Sequence, residues 1–155
     1  IKLGLVPFGE IGADGGEEFP PTLTFNAIGR HQSRVVRTKI TSVLSPWFSK
    51  LNTGDIVSVA ISHGEGRFVC SEEMYKQLEK NGQIATQYVD FEGRPSMNYD
   101  FNPSGSFMAV EAITSKDGRI LGKMGHTERY ENGLFKNVEG NFDLSIFSAG
   151  IEYFG

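Results

Sequence analysis

Ile56-Val57-Ser58-Val59-Ala60-Ile61 is apolar or small at both alternating positions, broken only by Ser58. A strand built from such a run must be covered on both faces, which is the pattern of a buried strand. The turn formers Asn52-Thr53-Gly54-Asp55 precede it, and Ser62-His63-Gly64-Glu65-Gly66-Arg67 leaves its carboxyl end. In open α/β sheets that end is where ligands usually bind. The run is therefore the best candidate for a buried strand and gives a first place to look for chemistry.

The flanking sequence supplies further elements. Residues 1–21 are rich in Gly and Pro and read as a brief helical start giving way to loop. Between residues 22 and 45, Val35, Val36, Thr38, Ile40, Thr41 and Val43 predict one or two strands, with Arg30, Arg34 and Arg37 interleaved as either a basic spot or a solvated strand face. Ser71 can cap a helix whose apolar positions are Met74, Tyr75 and Leu78 and whose stop is Asn81-Gly82. Ile84–Val89 reads as a strand, and the turn-rich stretch from Asp90 to Gly105 is long enough to suggest a role of its own. Phe107–Ile113 and Arg119–Met124 predict a hairpin about Ser115-Lys116-Asp117-Gly118, and Ile146–Phe154 predicts a short amphipathic helix.

Composition removes several classes of function. The 155 residues fit one ordinary domain, and 39% hydrophobic with 22% charged residues is neither disordered nor membrane-like. No apolar run approaches the roughly 20 residues of a membrane helix. A net charge of -4 without a basic block argues against nonspecific nucleic-acid binding. One cysteine and three histidines, His31, His63 and His126, suit a reducing cytoplasm and offer no metal cluster. There is no Gly-x-Gly-x-x-Gly or Walker run to hold a dinucleotide or ATP.

Three constellations remain. His126 and Glu128 would share one face if a strand ran through them, and a carboxylate can orient an imidazole to take a proton from a nucleophile; the alternative is a structural His-Glu pair. In His63-Gly64-Glu65-Gly66-Arg67, the glycines permit close backbone approach while His63, Glu65 and Arg67 can meet a polar ligand or a partner domain; the alternative is a tight structural turn. Cys70 is either a buried apolar cysteine or a thiolate favoured by the helix start that follows it.

Ala27-Ile28-Gly29-Arg30-His31, Ser45-Pro46-Trp47-Phe48, Ala60 through Phe68, Gln87-Tyr88-Val89-Asp90, Asn102 through Ser106 and Gly125 through Arg129 occur in an order that resembles the C-terminal glutaminase domain of phosphoribosylformylglycinamidine synthases. The fine pattern is similar to the long single-chain bacterial form. The resemblance implies a class I glutamine amidotransferase fold, an open and mostly parallel α/β sheet, with residues 1–155 as the C-terminal portion of the domain and the sheet incomplete at its N-terminal side. It also implies a Cys-His-Glu triad, in which His126 and Glu128 match the His-x-Glu pair, while His63, Glu65 and Arg67 fall in a loop at the mouth of the site. The family's nucleophile lies in a Gly-x-Cys-Asn-Gly-x-Gln elbow that Cys70 does not match, so the sequence is expected to begin just after that elbow.

On this resemblance glutamine is the substrate, and ammonia passes to a synthetase domain that uses ATP and Mg to make the amidine of formylglycinamide ribonucleotide. No cofactor is expected on this chain. The expected partner is the rest of the synthase, including the elbow and the synthetase domain, with no nucleic acid and no membrane. Two other functions compete with it: a noncatalytic binding or structural module, and a hydrolase pairing Cys70 with His126.

Overall fold

A computed structural model describes residues 1–16 and 18–155. After a helical turn, α1 (Leu5–Phe8), the chain forms β1 (Thr22–Thr24), β2 (Gln32–Ile40), β3 (Ile56–His63) and β4 (Arg67–Val69). Then follow α2 (Glu72–Lys80), β5 (Ile84–Tyr88), β6 (Val110–Thr114), β7 (Leu121–Lys123) and α3 (Ile146–Phe154). β1 and β4 make a separate antiparallel ribbon, with Leu23 opposite Phe68. The main sheet has five strands in the order β3-β2-β5-β6-β7, and every neighbouring pair in it is antiparallel.

That pattern corrects the expectation of a mostly parallel sheet. The crossover through α2 does return the chain in its original direction, since β3 and β5 both run opposite to β2. But β2 lies between them and takes the hydrogen bonds of both, so the two strands never become parallel neighbours. β6 and β7 then add by antiparallel pairing, β7 through the short turn in which the Gly118 N–H donates to the Ser115 carbonyl at 2.9 Å.

β3 ends the hydrogen-bonded order, yet its apolar run demands cover, and the sheet curls to provide it. Ile61 bridges Gly125 just beyond β7, the His126 N–H donates to the Ala60 carbonyl at 2.8 Å, and the Ser58 N–H donates to the Asn141 carbonyl at 2.6 Å. The outer edge of β3 is thus paired to later chain rather than left to solvent, which removes the hazard of an exposed strand edge.

The cores follow the two helices. Met74, Tyr75 and Leu78 of α2 pack on Phe68, Ile84, Val110 and Ile113. Ile146 of α3 and Phe48 of the 3-10 turn Pro46–Phe48 pack on Ile40, Val57, Ala85 and Ala112. A third group, Val36, Val59, Ile61, Tyr88 and Ala109, fills the end of the sheet that carries the site described next. α2 starts as the sequence predicts, the Ser71 hydroxyl accepting from the Met74 N–H at 3.1 Å.

Candidate active site

His126 does not lie on a continued strand. It caps the 3-10 turn Thr127–Arg129, and the Arg129 N–H closes that turn on the His126 carbonyl at 3.1 Å. The turn achieves what the strand was expected to do: His126 Nδ1 meets Glu128 Oε1 at 2.5 Å. An ionised carboxylate only accepts hydrogen bonds, so Nδ1 carries a proton, and in the neutral imidazole the lone pair is then on Nε2, the tautomer a general base needs. Burial pushes the Glu128 carboxyl up, but hydrogen bonds from His126 and the backbone, with the positive charge of Arg129, together hold it below the ordinary glutamate value. The imidazole is partly exposed and the carboxylate more so, at 30% and 57% of their side-chain surfaces.

The backbone ahead of His126 is fixed from beneath by residues that sequence reasoning missed. Glu111 of β6 is fully buried and accepts the Gly125 N–H at 2.5 Å, the Met124 N–H at 3.1 Å and the Thr86 hydroxyl. Lys123 lies 3.5 Å from the same carboxylate and donates to the Gly125 carbonyl at 2.9 Å and the Thr127 hydroxyl at 3.3 Å. Both polar groups of Gly125 are therefore held by one buried ion pair. A β-carbon at Gly125 would fall 2.6 Å from Val59 Cγ2 and 2.8 Å from Lys123 Nζ, so only glycine lets the chain pass here. A lone Glu within a buried apolar strand was the available signal for this role.

The His63–Arg67 loop is organised by a second missed residue, Asn26. Its side-chain nitrogen donates to the His63 carbonyl at 2.7 Å and the Arg30 carbonyl at 2.9 Å, while its oxygen accepts the Gly66 N–H at 3.1 Å. These contacts fix the amide orientation, so His63 Nδ1, 3.0 Å from that oxygen, donates to it. His63 is buried, and desolvation, reinforced by His31 and His126, outweighs a backbone hydrogen bond and the pull of Glu111 and lowers its pKa. A β-carbon at Gly66 would come within 2.2 Å of the His63 ring, which explains the glycine. Glu65 is exposed, and Arg67 sits half-buried on β4 opposite Thr24. Among the described residues no hydrogen bond or ion pair joins His63, Glu65 or Arg67 to the His126–Glu128 pair.

On the outer face of β3, Ala60 stands opposite His126, and Ser62 follows two residues on, its hydroxyl 3.2 Å from His31 Nε2. Ala60 and Ser62 are small, and Ser62 with His31 makes a Ser-His pair on that face. The chain does carry a cysteine, and the structure places Cys70 elsewhere. It follows β4, packs against the α2 core and borders a groove with Phe19, Pro20 and Thr22. Among the described residues no group of three or more His, Cys, Asp or Glu could hold a metal ion, and no helix is long and apolar enough to cross a membrane.

A family model described as a CobB/CobQ-like glutamine amidotransferase domain matches residues 1–154. The chain belongs to that family. It is 38% identical over 144 residues to the phosphoribosylformylglycinamidine synthase subunit PurQ of Methanococcus maripaludis, covering 92% of this chain and 50% of the relative. It is 34% identical over 118 residues to the subunit of the same name from Thermomicrobium roseum, covering 76% of this chain and 49% of the relative. A chain in the structure of PurLQS from Thermotoga maritima has the same fold, with a TM-score of 0.63 at 20% identity over 86% of this chain and 53% of that one. This chain spans about half the length of the curated relatives it matches. These relatives are separate PurQ subunits, which corrects the expected likeness to the long single-chain form.

Proposed function

We propose that this domain supplies the acid–base half of a glutaminase that feeds ammonia to purine biosynthesis. The observation that carries the reading is the His126 Nδ1 to Glu128 Oε1 hydrogen bond, which leaves Nε2 of a partly exposed imidazole ready to accept a proton. His126 takes the proton of a cysteine thiol, and the thiolate attacks the side-chain amide carbon of glutamine. The resulting imidazolium returns that proton to the departing amine, so ammonia leaves and a glutamyl thioester remains. Water, deprotonated by the same imidazole, then cleaves the thioester to release glutamate and restore the thiol. Glu128 holds the tautomer and balances the imidazolium charge as it forms.

The reading takes the thiol from a Gly-x-Cys-Asn-Gly-x-Gln elbow, a motif that residues 1–155 do not contain. Cys70 is not assigned that role, because it belongs to the α2 side of the core while His126 is held on the β3 edge. The names of the PurQ relatives support a synthase subunit as the setting, in which ATP-dependent ligation belongs to a separate partner.

The test is His126→Ala in the complete synthase. Glutamine-dependent synthesis is expected to fall by about 100- to 10,000-fold, the usual worth of a positioned acid–base group, while synthesis from added ammonium salt persists. Loss of both activities, or of neither, would overturn the assignment.

A further inference from the structure

His126 stands between two residues that do little by themselves to fix it. Gly125 has no side chain to restrict its backbone, and His126 enters the turn Thr127–Arg129 without a side-chain capping bond. The restraint comes from Lys123. Its ammonium donates to the Gly125 carbonyl at 2.9 Å and to the Thr127 hydroxyl at 3.3 Å, so one cation grips the chain on both sides of His126.

The placing of that cation is unusual for an ion pair. The side chains of Lys123 and Glu111 are 11% and 0% exposed, and charge-assisted bonds of this kind usually close to about 2.7–2.9 Å. Here Nζ stays 3.5 Å from Glu111 Oε1, farther than from the Gly125 and Thr127 oxygens. The same Oε1 accepts the N–H groups of Gly125 and Met124 at 2.5 and 3.1 Å. Carboxylate and ammonium thus direct their closest contacts to the chain around His126 rather than to each other, which is more than a pair kept for stability requires. The His126 N–H on the Ala60 carbonyl at 2.8 Å and the Arg129 N–H on the His126 carbonyl at 3.1 Å complete the hold. A shift of about 1 Å in a reacting group can cost on the order of 100-fold in rate.

We propose that Lys123 and Thr127 are positioning residues for His126: the ammonium, anchored by Glu111, bridges the residues on either side and keeps the turn in the geometry that joins Nδ1 to Glu128. Its consequence for catalysis rests on the function proposed above, while the held geometry does not.

The experiment compares variants of the complete synthase. Lys123→Met with Glu111→Gln removes both charges together, so none is stranded in the interior, and leaves an acceptor for the Gly125 N–H. Thr127→Val removes only the hydroxyl and keeps the ion pair whole, and it carries the test should the double variant fail to fold. For glutamine-dependent synthesis kcat is expected to fall about 10- to 100-fold in the double variant. In Thr127→Val it should fall about 3- to 10-fold, the worth of one hydrogen bond, and Thr127→Ser should recover most of that loss. KM for glutamine stays within twofold, and synthesis from ammonium salt persists. Nitrogen-15 NMR of the histidine-labelled glutaminase subunit reads the geometry directly. Neutral His126 should carry its proton on Nδ1 in wild type and populate both tautomers in the variants. If the variants keep kcat within twofold, or lose kcat with the wild-type tautomer intact, the positioning role falls while the glutaminase reading stands. If His126→Ala leaves glutamine-dependent synthesis unchanged, the glutaminase reading falls and the tautomer alone decides the clamp.

Discussion

Glu111 accepts the backbone N–H of Gly125 at 2.5 Å, one residue ahead of the imidazole that the site depends on. The carboxylate is sealed inside the curled sheet and its counter-charge, Lys123, grips the carbonyl of the same glycine at 2.9 Å. The histidine proposed as the acid–base group is thereby held through its backbone by an ion pair that need never touch substrate. Such a pair contributes position more than net stability, since desolvation offsets much of its attraction, but losing one member leaves a buried charge.

Glu111→Ala is therefore expected to destabilise the domain by about 3–5 kcal/mol, the cost of stranding Lys123 in the interior. Glu111→Gln keeps an acceptor for Gly125 and should cost less, about 1–3 kcal/mol. Urea unfolding with unchanged m values measures both. A loss under about 1 kcal/mol for the alanine variant would contradict the role, being within the range of ordinary substitutions.

The Glu128 carboxyl should titrate below the usual glutamate range, because the hydrogen bonds and cations that favour its charged form outweigh partial burial. Its contribution to stability is present above the unfolded-state value and is lost as pH falls through the depressed folded value. Carbon-13 NMR of the carboxyl reads the midpoint directly. In His126→Ala that midpoint should move upward, and no movement would show that the 2.5 Å contact is absent in solution.

Desolvation by burial is the main cause that places the folded pKa of His63 below the ordinary histidine value. The unfolded chain binds this proton first as pH falls, and His63 therefore lowers stability from about pH 6.5, the unperturbed midpoint, down to its depressed folded midpoint. Denaturation midpoints measured across that window should fall less steeply in His63→Gln than in wild type. Equal slopes would place His63 in solvent.

Asn26→Ala should be among the costliest polar truncations. It removes the donor to two carbonyls and the acceptor of the Gly66 N–H, at roughly 1–3 kcal/mol for each buried group left unpaired. Gly66→Ala attacks the same clamp from the other side, forcing a β-carbon into the His63 ring. Both variants should lower the thermal midpoint and raise amide exchange across residues 25–31. Protection unchanged from wild type would mean the segment is not held as described.

Much of this protein is local, and local features are readable in order along the chain. The double-faced apolar run became β3, Ser71 capped α2, Asp117-Gly118 turned the β6–β7 hairpin, and Ile146–Phe154 became α3. His126 and Glu128 were legible as a pair because two-residue spacing brings them together in either a strand or a tight turn, and the turn did so. Strand partners were not legible. Insertion of β2 between β3 and β5 makes the sheet antiparallel throughout, and that choice depends on hydrogen bonds between segments far apart in sequence. Asn26 and Glu111 escaped notice for the same reason, since each is an ordinary polar residue until folding buries it against backbone groups 37 and 14 residues away. The sequence by itself determined most of the elements and the meeting of His126 with Glu128, through periodicity and spacing. Only the tertiary structure decided which strands meet and which buried polar groups hold the site, because an unpaired N–H or carboxylate in the interior finds its partner only when the chain closes around it.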